Sequence, residues 1–127
     1  MVFKVINATE AKTGTNILID GAACTVKSID ISKTGKHGHA KCRMEAIGIL
    51  DGKKRVIVIP GHNKLEIPHV EKRRAQVLSI AGGKASVMDL ESFETIDVVI
   101  DPEVQVSEGD QAEYWTINED KIIKRKV

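Results

Sequence analysis

The spacing of turn signals constrains this chain more than any other feature. Asp20-Gly21, Asp51-Gly52, Pro60-Gly61 and Gly82-Gly83 cut the sequence into short apolar runs rich in Val and Ile. Runs of that length, bounded by residues that favour tight turns, read as β-strands rather than helices. The first half offers "VFKVINA", "NILID", "CTVKSIDIS", "KCRMEAIGIL" and "KRVIVIP". The second offers "RAQVLSI", "KASVMDL", "ETIDVVID", "AEYWTIN" and "KIIKRKV", with "DPEVQVSEGD" as a loop. The expected fold class is all-β, with helices no longer than single turns.

Finer features follow from the period of two along a strand. Val26, Ile29 and Ile31 break strict alternation, which predicts a bulge near Ser28. Val56 and Val58 fall on one face while Ile57 and Ile59 fall on the other, which predicts a strand covered on both sides. In "HNKLEIPHVEKRR" a short strand is followed by Pro68, which bars a central strand, and by the charged run Glu71 to Arg74. That run reads as a connector, with a boundary at residues 69–72. Two units are expected, residues 1–70 and 71–127. Five strands in the second unit match a small OB-type barrel, and two barrels would each close their own edges.

Charge divides the chain at the same place. Residues 1–70 carry eleven Lys/Arg against six Asp/Glu and all four histidines, whereas residues 71–127 carry eight against twelve. Between Lys84 and Lys121 there are eleven carboxylates and no basic residue, a stretch expected to repel phosphate. The basic first half is the part suited to nucleic acid. The two cysteines, Cys24 and Cys42, form no CxxC pair, so neither a disulfide framework nor a thiolate zinc site is expected; they read as small buried hydrophobes. No apolar run approaches the ~18 residues of a membrane span, and "MVFKVINATE" lacks a signal-peptide core. A cytoplasmic protein is expected.

The stretch "SKTGKHGHAK", residues 32–41, carries three lysines, two histidines and no carboxylate. It lies between two strand-like runs, as the tip of a hairpin. Gly35 and Gly38 keep the backbone slim around Lys36 and hold its side chain out on a thin finger. A phosphate-binding loop is excluded, because position 30 is Asp30 rather than glycine and His37 follows the lysine. Zinc on His37, His39 and Cys42 would need further ligands from His62 or His69, beside four repelling cations at Lys33, Lys36, Lys41 and Arg43. Two imidazoles beside lysines could also cleave RNA by general acid–base catalysis, though a glycine-rich loop places such groups poorly. A basic finger for structured RNA is the remaining reading. Only four aromatic side chains are present, too few for a stacking single-strand binder.

These residues carry a resemblance. "SKTGKHGHAK" looks like the modification loop of the translation initiation factor 5A family, shared by archaea and eukaryotes and related to bacterial elongation factor P. The similarity extends through "IPHVEKRRAQVLSI" and "SVMDLESFET". It implies an N-terminal SH3-like barrel, a C-terminal OB-fold, and no active site. It also implies that deoxyhypusine synthase transfers an aminobutyl group from spermidine to Lys36, with no other cofactor; whether the product is deoxyhypusine or hypusine stays open. The implied partners are the ribosome and peptidyl-tRNA, at stalling sequences such as proline runs. Lys33, Gly35, His37, Gly38, His39, Lys41 and Arg43 are the implied RNA or ribosome contacts beside Lys36. Loop-histidine ribonuclease and general RNA-binding protein stand as alternatives.

Overall fold

In a computed structural model of the chain, residues 2–32 and 40–127 are described. The chain divides into two compact units, Met1–His69 and Val70–Val127.

In the first unit, β1 (Val2–Asn7) runs into a single 3-10 turn, Ala8–Glu10, followed by β2 (Asn16–Ile19). Asp20 and Gly21 both take left-handed backbone angles, φ 50° and 80°, which lets two residues reverse the chain into β3 (Ala22–Ser32). The unit continues with β4 (Lys41–Gly48), β5 (Lys54–Pro60) and β6 (Lys64–Pro68). Strands β2-β3-β4-β5 form one antiparallel sheet and β1-β6 a second. The register of β3 against β4 shifts between Val26 and Ser28, the bulge that broken alternation predicts. Ile17, Ile19, Cys24, Val26, Cys42, Met44 and Ala46 meet Leu65 and Ile67 of β6 in one core. Both thiols are free and fully buried, and burial pushes each above its ordinary pKa.

The expectation for β5 fails on one face. Ile57 and Ile59 pack against the core, but Val56 and Val58 are 46% and 61% exposed. β-Branched residues suit a pleated strand on either face, so their presence reports strand geometry and not a second covering layer.

The second unit contains β7 (Glu71–Ala81), β8 (Lys84–Asp89), β9 (Thr95–Ile100), β10 (Gln111–Ile117) and β11 (Asp120–Lys126). They close as a barrel in the order β10-β11-β9-β8-β7, with β7 and β10 paired. All pairs are antiparallel except β9 with β11, which run parallel. Ala75, Val77, Val87, Val98, Tyr114 and Ile123 fill the interior, and Val104 and Val106 of the 101–110 loop pack onto it. Ile96, Val98 and Ile100 face inward in alternation, as their spacing predicts.

Two expectations need correction here. Glu71 to Arg74 is not a connector but the start of β7, paired with β10 from Glu71↔Thr116 to Arg74↔Glu113. Charged side chains on a strand's outer face hide the strand from a hydrophobicity reading. Nor is the acidic stretch without cations once folded. Asp101 meets Lys124 at 2.6 Å, Glu113 meets Arg125 at 3.1 Å and Asp110 meets Lys126 at 3.6 Å. Barrel closure carries the basic residues of β7 and β11 to carboxylates distant in sequence. Among the described residues no helix is long and apolar enough to cross a membrane.

Candidate functional site

The β3–β4 hairpin is the scaffold of the site. Its stem is a paired ladder that runs from Cys24↔Gly48 to Ser32↔Lys41. Because Cys42, Met44 and Ala46 alternate inward, Lys41, Arg43 and Glu45 are turned to the opposite face. Lys41 and Arg43 are exposed. Arg43 lies 3.6 Å from Glu45, which also receives Lys54 at 2.9 Å and a hydrogen bond from the Ser28 hydroxyl at 2.9 Å. The Lys54 contact, then Ser28, holds the Glu45 carboxyl below its ordinary pKa. Asp30 stands opposite Arg43 in the register, while Lys41 stands between Ser32 and Pro60. Among the described residues Lys41 has no ion pair, so its charge is the more available of the two.

A brace fixes the end of the stem. The Gly61 amide donates to the Ala40 carbonyl at 2.6 Å, and the Thr9 amide donates to the Gly61 carbonyl at 3.4 Å. The Ala8 amide donates to Asn63 at 2.9 Å, tying the 3-10 turn to the β5–β6 turn. A side chain on Gly61 would stand 2.7 Å from the Thr9 methyl and 3.2 Å from the Ala40 carbonyl oxygen. Glycine is therefore required at this position for close approach, although its backbone angles are ordinary.

Of the residues singled out in the sequence, Lys33, Gly35, Lys36, His37, Gly38 and His39 lie outside the described residues. Lys41 and Arg43 sit together at the mouth of the hairpin. Cys42 is turned into the core, away from them, and among the described residues no group of His, Cys, Asp or Glu could hold a metal ion. Sequence reasoning missed Thr9 and Gly61. Pro60-Gly61 reads as the end of a strand, and nothing local reveals which carbonyl the glycine meets.

Sequence reasoning also missed a polar hub in the second unit. Asp89, 2% exposed, accepts hydrogen bonds from Arg73 Nε at 2.8 Å and Arg73 Nη2 at 2.9 Å. It accepts others from the Tyr114 hydroxyl and from the amides of Glu91 and Ser92 at 2.8 and 2.9 Å. Arg73, ahead of the remaining donors, holds this carboxyl well below the ordinary range. Burial, and then the bond to Asp89, pushes the Tyr114 phenol above its ordinary value.

Comparison with known proteins agrees with this architecture. A family profile described as "Translation initiation factor 5A-like, N-terminal" matches residues 4–63. Translation initiation factor 5A of Thermoplasma acidophilum is 45% identical over 108 residues, 84% of each chain. That of Pyrobaculum islandicum is 42% identical over 132 residues, covering 99% of this chain and 100% of the relative. Among solved structures, a eukaryotic translation initiation factor 5A from Methanococcus jannaschii superposes with a TM-score of 0.86 at 35% identity, covering 98% of this chain and 94% of that one. The first unit is accordingly an SH3-like barrel and the second an OB-fold. The chain belongs to the translation initiation factor 5A family of translation factors.

Proposed function

We propose that Lys36 is the acceptor of a spermidine-derived aminobutyl group, placed there by deoxyhypusine synthase, and that the resulting deoxyhypusine or hypusine arm is the working part of the molecule. In this reading the protein acts on the ribosome in the cytoplasm. The extended side chain reaches the end of peptidyl-tRNA and promotes peptide-bond formation at stalling sequences such as proline runs. The protein performs no chemistry itself; it holds the tRNA end where attack can occur.

The observation that carries this reading is a lysine flanked by glycines in the sequence between β3 and β4, with Lys41 and Arg43 exposed on the adjoining strand. Family membership supports it. Modification lengthens the side chain by roughly 6 Å at ordinary bond geometry. A slim backbone on either side admits the lysine into a synthase pocket, and the cations at the mouth give phosphates something to meet.

Peptide mass mapping of protein from its native source should find one aminobutyl-derived adduct, on Lys36. An unmodified Lys36, or an adduct on Lys33 or Lys41, would sink the reading. In translation of a proline-run message, Lys36→Arg should lose the stimulation given by the modified protein, because arginine keeps the charge but cannot accept the group. Full activity of that variant would refute an extended arm.

A further inference from the structure

The loop between β8 and β9 carries an aromatic where turn chemistry has no use for one. Phe93 has φ 61°, a left-handed conformation that suits glycine or asparagine and strains a side chain with a Cβ. It is also 69% exposed, the most exposed large hydrophobic among the described residues. Tyr114, by contrast, is buried, and Trp115 has the Lys72 ammonium 4.3 Å over its ring. Neither folding nor the turn is served by a phenyl ring at position 93.

The loop is nevertheless rigidly built. Phe93 donates its amide to the Asp89 carbonyl at 2.8 Å, and the Asp89 amide donates to the Glu94 carbonyl at 2.9 Å. The buried Asp89 carboxylate takes the amides of Glu91 and Ser92 from inside. A ring on such a frame loses little freedom when something docks on it. Its rim is acidic. Glu91 and Glu94 are exposed on either side; Glu91 reaches Arg73 at 3.3 Å, and Glu94 has no ion pair among the described residues. Beside the loop lies an open cavity of about 220 Å3 lined by Glu71, Arg73, Glu94 and Lys121. Its guanidinium is already held by Asp89 and Glu71.

We propose that the Leu90–Glu94 loop is a docking point for a basic protein segment that combines an arginine or lysine with an apolar side chain. The apolar group and the cation lie against the Phe93 ring, and the cation is answered by Glu94 and Glu91. A phosphate backbone would meet the same carboxylates and be repelled, which favours protein over nucleic acid. The proposal stands independently of any modification at Lys36.

The test is amide chemical-shift mapping on the full chain with three probes. These are a synthetic peptide of alternating arginine and leucine, the same peptide with glutamate for arginine, and an oligouridylate. The basic peptide should move the amides of Leu90 to Glu94 and the other two should not. Phe93→Ala and Glu94→Lys should each weaken that binding about thirtyfold, the scale of a binding hot spot. Phe93→Gly should weaken binding as much as Phe93→Ala yet leave the melting temperature unchanged or raised, since it relieves the left-handed strain, so lost binding is separated from lost folding. The idea is overturned if the oligouridylate moves the same amides, if the basic peptide leaves them unmoved, or if sedimentation shows Phe93-dependent self-association instead.

Discussion

Gly61 and Asp89 show how single positions act through what they meet. Gly61 touches Ala40, the last described residue before β4, so a change there reaches the hairpin directly. Gly61→Val forces the Thr9 methyl and the Ala40 carbonyl apart, an overpacking cost of about 1–3 kcal/mol. The expected result is a folded protein whose rate of modification by purified synthase falls several-fold; an unchanged rate would show that the brace does not govern the loop. Asp89 is buried and accepts five hydrogen bonds. Its native pKa lies below its unfolded value, so its stabilisation is complete above about pH 4 and is lost as pH falls from there toward the depressed value. Asp89→Asn should cost about 3 kcal/mol at neutral pH, the scale of breaking a buried ion pair. It should also flatten the dependence of unfolding free energy on pH below 4. A variant that keeps the wild-type acid slope would remove Asp89 as its source.

At the scale of the strand, β4 divides its duties by alternation: one face builds the core and the other carries the charges at the hairpin mouth. If those charges meet ribosomal phosphates, Lys41→Ala should reduce the slope of log affinity for ribosomes against log salt by roughly 1. Arg43→Ala should reduce it less, because Glu45 already lies 3.6 Å away. Equal effects would deny the difference between the two. Elements such as these were largely legible in the sequence, because turn pairs and period-two alternation are local signals. The Ser28 bulge announced itself through Val26 and Ile29 in the same way. The solvent-facing side of β5 did not, since Val56 and Val58 satisfy a strand whether or not anything covers them. The contacts of Gly61 with Ala40 and of Asp89 with Arg73 and Tyr114 join positions far apart in sequence. No local pattern encodes such pairs. The site itself was visible only as a motif, with Lys36 marked by its glycines and its brace unseen.

At the scale of the molecule, each unit has its own core, and the two close by different means. The first wraps two sheets around shared apolar side chains, while the second forms an unbroken hydrogen-bonded ring. That ring depends on β11, which pairs with β10 on one side and, through Ile122↔Val99 and Ile123↔Ile100, with β9 on the other. Removing residues 121–127 should therefore unfold the second unit and leave the first intact, read as loss of slow hydrogen exchange confined to residues 70–120. Uniform loss of protection across the chain would contradict this. The position of β11 also has a consequence for synthesis. The first unit can complete its fold while the rest is still being made, but the second lacks its closing stave until residues 120–126 have been added. Of the five staves, the one that joins both of its neighbours into the ring is thus the last to be read.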